Sequence, residues 1–226
     1  AKAGKKVLII DADAQGNTTY SILGRQESEN TLYDVLIEGK MALQECFRAT
    51  QSPNLFIVPS SINLSAADIY LSAVPGREML LARAIDRLAQ PFDFILIDTP
   101  PTLGVMTVNA LVASTDVIIP VSLTTYALLG IKILEDTMQQ IRENIKVELP
   151  ILGVVANLDD HTNISKEILA SVREHFGHLV FQTVIPRNIT VEEAQNQARS
   201  IYEYDPRSAG AKAYESLVKE VLARVK

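Results

Sequence analysis

Short apolar runs, rich in β-branched residues, alternate along this chain with segments of helical periodicity. The runs lie at residues 7–10, 55–58, 94–97, 117–121, 152–155 and 180–184. They lack the polar alternation of half-exposed strands, so we expect both of their faces to be covered, as in a parallel sheet between helices. Helical spacing is clearest over 77–88, over 164–176 after the capping candidates Thr162 and Asn163, and in the last segment, which Ser208 is predicted to cap. The pattern predicts an α/β fold with a doubly wound, mostly parallel sheet flanked by helices.

Length, charge and cysteine content narrow the class of protein. The 226 residues contain no internal repeat or linker, which predicts a single domain over 1–226. A formal net charge of −6 excludes a strongly basic nucleic-acid binder, although local basic patches remain possible. The apolar runs are far shorter than the roughly 20 residues of a bilayer span. We therefore expect a cytoplasmic protein without a membrane role, whose lone Cys46 is a buried apolar residue.

Two strand ends carry acidic residues. Asp11 and Asp13 follow the first apolar run, and Asp98 follows the run at 94–97. Ligands of doubly wound folds bind outside the carboxyl ends of the strands, and a rigid carboxylate there can orient the water shell of Mg²⁺. An aspartate in this place is also a common turn former, and Asp13 has the alternative of a local turn toward Gln15 and Gly16. Two such ends together favour a nucleotide site.

Four segments in series resemble the ParA/Soj partition ATPases, within the wider MinD/ParA group of deviant Walker P-loop proteins. Residues 11–17 resemble the DxDPQGN element, 97–101 the Walker B strand end, 185–188 the IPRN loop and 204–211 the YDPxSxGA start of the last helix. Together they span essentially the whole chain in the family's order. The resemblance implies a P-loop NTPase-like fold that uses ATP and Mg²⁺.

The resemblance also implies roles for individual residues. Asp11 would support the water shell of Mg²⁺, Asp98 would hold Mg²⁺ through water, and Asp13 would orient or activate the attacking water. The adenine end would be lined by Asn157, Pro186, Arg187 and Asn188. For Arg187 the alternative is a solvated surface charge.

The implied function is an ATP-dependent molecular switch for partitioning plasmids or chromosomes, or for positioning another cargo. Two subunits would form a Mg-ATP sandwich homodimer, and a ParB-like or cargo-adaptor protein would stimulate hydrolysis. Such a protein would associate with the nucleoid and not with a membrane. Two alternatives stay open: a positioning ATPase for a cargo that is not a replicon, and a non-catalytic adaptor.

The family's phosphate loop is absent from the printed sequence. That loop reads KGGxGK followed by two Ser or Thr residues, and in the family it lies one helix upstream of the DxD strand. Residues 1–6, with Gly4, read as the end of that helix. We therefore expect that the given chain is truncated before the first strand and the phosphate loop. The full-length protein would be an ATPase, and the chain as it stands would be inactive. A chain that truly begins here is the alternative.

Nonspecific DNA is an expected partner with mixed support. Thr190 and Ala209 fall where relatives carry arginines implicated in DNA binding. Arg199, Arg207 and Lys212 could supply a patch instead, but glutamates alternate with the basic residues here, so a mixed solvated surface is the alternative.

The three histidines, His161, His175 and His178, show no metal-ligand spacing, and we predict no zinc site.

Overall fold

A computed structural model describes residues 1–25, 29–124, 127–145 and 148–225, without the side chains of 127–129. The chain forms two compact units, Ala1–Ser114 and Thr115–Lys226. Each has its own sheet with helices packed against it, which confirms the predicted α/β class. The single domain expected over 1–226 stays a prediction.

The first unit has a four-stranded sheet in the order β2-β3-β1-β4. β1 pairs in parallel with β3 and β4, and the short β2 pairs antiparallel with β3. Its elements are β1 (Val7–Asp11), α1 (Asn17–Leu23), α2 (Leu32–Leu36), a 3₁₀ turn (Leu43–Cys46), β2 (Arg48–Ala49), β3 (Leu55–Val58), a 3₁₀ turn (Ile62–Ala66), α3 (Ala67–Tyr70), a 3₁₀ turn (Arg77–Met79), α4 (Leu80–Asp86), β4 (Phe94–Asp98) and α5 (Val105–Ala113).

The core of the first unit forms around the central strand β1. Leu8 and Ile10 are fully buried there and belong to one apolar cluster with Leu32 and Leu81 from the surrounding helices. Cys46 is buried in the same cluster, as expected. This burial places the end of β1 at the edge of a well-packed core, where Ile10 pairs with both β3 and β4 and Asp11 pairs with Asp98 of β4.

The second unit has a three-stranded parallel sheet in the order β5-β6-β7. Its predicted helix caps are confirmed: the Thr162 hydroxyl accepts from the Ser165 N–H, and the Ser208 hydroxyl accepts from the Ala211 N–H. Its elements are β5 (Val117–Ser122), α6 (Ala127–Ile145), β6 (Ile151–Asp159), α7 (Asn163–Phe176), a 3₁₀ turn (Gly177–Leu179), β7 (Val180–Pro186), α8 (Ile189–Asn196), α9 (Ile201–Tyr204) and α10 (Ala209–Arg224).

One expectation about strand burial is wrong for β4. Ile95 and Ile97 pack against the core of the first unit, whereas Leu96 points to the opposite face and is 50% exposed. Within the described residues β4 pairs with β1 alone, so it is an edge strand of its sheet. An uninterrupted apolar run therefore does not ensure that both faces are covered.

The helix predicted over 77–88 is shorter in the structure. A 3₁₀ turn precedes it, and α4 ends at Asp86. In the part of the chain that the structure describes, no helix combines the length and the apolar character needed to cross a membrane.

Candidate functional site

Asp11 lies at the carboxyl end of β1 and is fully buried, and the donors to its carboxylate come from the following loop and helix. Its Oδ2 accepts from the backbone N–H and the hydroxyl of Thr19, both at 2.7 Å. Its Oδ1 accepts from the Asp13 N–H at 3.2 Å. A buried carboxylate is tolerated only when hydrogen bonds replace its water, and this one has three.

Burial raises the pKa of the Asp11 carboxyl, and the nearby negative charge of Asp98 raises it further. The two donors of Thr19 and the Asp13 N–H oppose that rise because they favour the charged form. A cation bound near this strand end would therefore stabilise the charged form of the Asp11 carboxyl.

Asp98 is the neighbour of Asp11 across the parallel β1–β4 pair. Adjacent strands lie about 4.8 Å apart, so the two side chains leave the sheet close together. Asp98 is exposed, and its Oδ2 accepts from the Thr18 hydroxyl at 2.7 Å. The structure therefore brings together the two carboxylates predicted to serve a magnesium ion.

Asp13 lies two residues beyond Asp11 in the loop before α1. Its Oδ1 accepts from the Gln15 N–H at 3.0 Å, and its carbonyl accepts from the Gly16 N–H. This is the local turn that the sequence offered as the alternative interpretation. The Ser60 hydroxyl, from the end of β3, also donates to the Asp13 carbonyl at 2.5 Å and fixes the loop against the sheet.

The oxygen donors at this strand end fit a hydrated magnesium ion. Mg²⁺ prefers hard oxygen ligands, keeps several waters and commonly uses only one or two protein carboxylates. Within the described residues no group of three or more His, Cys, Asp or Glu side chains comes together, so a denser metal site is not formed there. A cavity of about 240 Å³ opens beside Asp13 and is lined by Ala12, Gln15, Asp68, Pro100 and Gly104, among others.

The four residues predicted for the adenine end lie at the carboxyl ends of β6 and β7 in the second unit. Asn157 is on β6, and its Oδ1 accepts from the Leu158 N–H. Pro186 ends β7 opposite Asp159, and the Arg187 N–H donates to the Asp159 carbonyl at 2.9 Å. The structure brings these residues to neighbouring strand ends, and the Arg187 side chain is exposed.

Asn188 follows as the residue before α8, and its side-chain oxygen has an unusual environment. Among the residues that the structure describes, Asn188 Oδ1 is the buried side-chain polar atom for which no hydrogen-bond partner is found. Asn188 packs beside Gly210, where a Cβ would lie 3.6 Å from its side chain. Burying an acceptor without a donor costs about 1–3 kcal/mol of free energy. A ligand that offered an N–H or O–H group to this oxygen would remove that penalty.

The three basic residues considered for DNA binding are all exposed. Arg199 donates to the Glu203 carbonyl at 2.6 Å, and its guanidinium lies 5.9 Å from the ring centre of Tyr204. The backbone N–H of Arg207 donates to the Asp205 carboxylate, so its guanidinium is not part of that contact. Lys212 lies on the first turn of α10. The basic patch and its alternative, a mixed solvated surface, both stay predictions.

Sequence reasoning missed the residues that hold the acidic site. Thr18 and Thr19 directly follow the segment 11–17, so a hydroxyl pair in the first turn of a helix was a detectable signal. Ser60 carried none, because its contacts depend on β3 pairing beside β1.

Comparison with known proteins gives matches over nearly the whole chain. A family profile described as an AAA domain matches residues 1–151. The chain is 39% identical over 225 residues to the sporulation initiation inhibitor protein Soj of Bacillus subtilis strain 168, covering 99% of this chain and 88% of that protein. It has the same identity and coverage with the chromosome-partitioning ATPase Soj of Treponema pallidum strain Nichols.

A solved structure shares the fold. It is described as cobyrinic acid a,c-diamide synthase of Mycobacterium smegmatis with a bound ATP analog and magnesium, with a TM-score of 0.81 and 28% identity. The match covers 98% of this chain and 83% of that one.

Proposed function

The chain belongs to the ParA/Soj family of partition ATPases, and we propose that it acts as an ATP-dependent molecular switch that partitions DNA or positions a cargo. The observation that carries this proposal is the pair formed by the buried Asp11 and the exposed Asp98 at adjacent ends of parallel strands. Threonine hydroxyls hold both carboxylates. Such an arrangement suits the water shell of a magnesium ion bound to a nucleotide.

We assign separate tasks to the three aspartates. Asp98 presents a carboxylate to solvent and would hold Mg²⁺ through water. The buried Asp11, on the neighbouring strand, would support the same water shell. Asp13 would orient or activate the attacking water. When bound, Mg-ATP supplies the transferable phosphoryl group and the cation that offsets its charge. Positioning and charge stabilisation are the main demands that phosphoryl transfer makes of a protein.

The adenine end is proposed at the ends of β6 and β7. The buried Asn188 Oδ1 is an acceptor in need of a donor, and the exocyclic amino group of adenine is such a donor. Pro186, Arg187 and Asn157 flank it along the strand ends. Loss of this acceptor in Asn188→Ala is expected to weaken ATP binding about tenfold, which corresponds to 1.4 kcal/mol.

The remaining parts of the proposed switch rest on family membership alone. They are an ATP-dependent sandwich homodimer, stimulation by a ParB-like or cargo-adaptor protein, and association with nonspecific DNA of the nucleoid. For DNA the mixed charge around Arg199, Arg207 and Lys212 predicts weak and salt-sensitive binding. If all three side chains contact phosphates, their joint replacement by Ala makes the negative slope of log K against log salt shallower by about 2.7.

The decisive experiment uses the natural protein at its full length. Isothermal titration with ATP and Mg²⁺, analytical ultracentrifugation and a phosphate-release assay are made on the wild type and on Asp13→Ala. We expect ATP binding and dimerisation to persist in the variant while turnover falls about 10²–10⁴-fold, the usual contribution of a positioned proton acceptor. Asp86→Ala, at an exposed carboxylate on α4, is the control and should keep full turnover.

Three results would contradict parts of the proposal. A wild-type protein that binds no ATP would remove the switch and favour a non-catalytic adaptor. A protein that binds ATP but stays monomeric would remove the sandwich dimer. Unchanged turnover in Asp13→Ala would move the orientation of the attacking water to another residue.

A further inference from the structure

Two consecutive threonines in the first turn of α1 each hold one carboxylate of the proposed magnesium site. The Thr18 hydroxyl donates to Asp98 Oδ2 at 2.7 Å, and the Thr19 hydroxyl donates to Asp11 Oδ2 at 2.7 Å. Successive residues of a helix point about 100° apart, so a single turn can reach the ends of two neighbouring strands. The two hydroxyls thus link α1 to both β1 and β4.

The two hydrogen bonds differ in their surroundings. Thr19 is 1% exposed, and its hydroxyl also accepts from the Ser60 N–H at 2.9 Å, so it belongs to the buried frame of the unit. Thr18 is half-buried and Asp98 is exposed, so their contact faces the side from which a ligand would approach. Among the described residues, Thr18 alone donates a hydrogen bond to the Asp98 carboxylate. Asp98 Oδ1 is therefore open to a metal-bound water.

Two carboxylates on paired strand positions repel each other, and an exposed aspartate can rotate away from its neighbour. A hydroxyl donor from a rigid helical turn counteracts both tendencies, because it offers a partial positive charge and restricts the side-chain torsions. A metal bound through water depends on such orienting contacts as well as on the carboxylates themselves.

We propose that Thr18 is a positioning residue of the magnesium site, which fixes the Asp98 carboxylate beside Asp11 before the metal arrives. This inference rests on the proposed function, since it assigns Thr18 a role toward the ion that Asp98 would hold. Thr19 serves the same purpose for Asp11, but it also supports the fold. Thr18 is therefore the residue at which positioning can be tested separately.

The test compares Thr18→Val with Thr18→Ser in the natural full-length protein. Valine keeps the branched shape and removes the hydroxyl, whereas serine keeps the hydroxyl. With Mn²⁺ as the probe, electron paramagnetic resonance titration of the ATP-loaded protein measures the dissociation constant of the metal. We expect Thr18→Val to weaken Mn²⁺ binding about tenfold, as loss of an orienting contact commonly does, and Thr18→Ser to stay near the wild-type value.

Two controls separate positioning from a general effect on the helix. Ser21→Ala removes a hydroxyl that donates to the Asn17 carbonyl within α1, and it should leave Mn²⁺ binding unchanged. ATP binding measured in EDTA should be the same in wild type and Thr18→Val, because it does not depend on the Asp98 orientation, and a cooperative thermal transition should show that the variant is folded. If Thr18→Val does not fold, Thr18→Ala at this half-buried position takes its place.

The outcomes distinguish this inference from the function on which it rests. Equal Mn²⁺ affinity in wild type and Thr18→Val would overturn the positioning role and leave the ATP switch untouched. A wild-type protein that binds ATP but no Mn²⁺ would remove both the magnesium site and the inference. A weakened affinity in Thr18→Ser as large as that in Thr18→Val would show that the hydroxyl is not responsible.

Discussion

The Asp68 carboxylate accepts a hydrogen bond from the Val105 N–H at 2.8 Å, across 37 residues of chain. Val105 is the first residue of α5, whose preceding residue, Gly104, has no side chain to cap the helix. Asp68, near the start of α3, supplies that cap from outside the helix and also brings negative charge to its positive end. The contact thus ties α3 to the loop that follows Asp98.

Asp68→Ala is expected to lower the free energy of unfolding by about 0.5–2 kcal/mol, the usual cost of losing a helix cap. Asp68→Asn, which keeps an acceptor oxygen, should lose less. Urea denaturation followed by circular dichroism measures both variants against Asp86→Ala, an exposed carboxylate of the same unit. An Asp68→Ala protein as stable as this control would show that the cap contributes nothing.

Gly104→Ala should also destabilise the protein, because the new Cβ would lie 2.7 Å from Asp68 Oδ2. The carboxylate must then move and give up its hydrogen bond to Val105. The cost should therefore shrink when Asp68 is already alanine, and a double-mutant cycle measures this coupling. Additive costs would mean that the two residues do not interact.

Gly153→Ala in β6 is expected to destabilise the second unit by about 1–3 kcal/mol through overpacking. Its Cβ would overlap the fully buried Phe181 ring and come within 2.8 Å of the Arg224 guanidinium. That guanidinium cannot easily retreat, because it donates to the carbonyls of Leu152 and Leu179.

Gly130→Ala is the matched control for Gly153→Ala. Gly130 lies within α6, and a Cβ there meets nothing within 4 Å. This substitution should raise the free energy of unfolding by about 0.5–1 kcal/mol, since alanine favours a helix more than glycine does. Thermal denaturation of the two variants should thus give shifts of opposite sign, and equal shifts would contradict the packing argument.

Thr19→Val should cost about 1–3 kcal/mol of folding free energy, because it removes the hydroxyl donor of the buried Asp11. It also leaves the Ser60 N–H without its acceptor. Thr19→Ser keeps both contacts and should recover most of the stability. Chemical denaturation of the pair tests this, and two equally destabilised variants would show that the hydroxyl contacts are not the cause.

We expect the Asp160 carboxylate, which lies just before α7, to stabilise the protein less as the pH falls. Hydrogen bonds from the Ser165 and Thr162 hydroxyls lower the pKa of the Asp160 carboxyl to about 2. A carboxyl whose pKa is lower in the folded state stabilises the protein above its unfolded pKa of 3.8 and loses that contribution as the pH falls toward about 2. Asp160→Asn should therefore be less stable than wild type at about pH 6 and approach it at about pH 2.

Urea midpoints of the wild type and Asp160→Asn across that range measure the effect. Ser165→Ala removes the donor with the largest influence on this pKa, so in its background the Asp160→Asn substitution should show a smaller dependence on pH. A stability difference between wild type and Asp160→Asn that stays constant with pH would contradict the prediction.

Local features of the structure could be predicted from the sequence because their causes are local. The caps at Thr162 and Ser208 need only a hydroxyl followed by helical spacing, and both are confirmed. The acidic strand ends at Asp11 and Asp98 could also be predicted from two apolar runs, whereas their adjacency depends on the pairing of β1 with β4 in the sheet. The likeness to a known family added the assignment of nucleotide chemistry, which no single motif carried.

Hydrophobic periodicity and capping act over a few residues, so the amino-acid sequence was enough to predict the α/β class, the strand ends that bear acidic residues and the helices at 164–176 and at the end of the chain. Only the tertiary structure decided which distant groups hold those ends: Ser60 on Asp13, Asp68 on Val105, and Phe181 against Gly153. It also decided that Leu96 is exposed, since burial depends on what packs against a strand and not on the strand's own residues. Such contacts join segments tens of residues apart, and their partners become neighbours only once the sheets have formed.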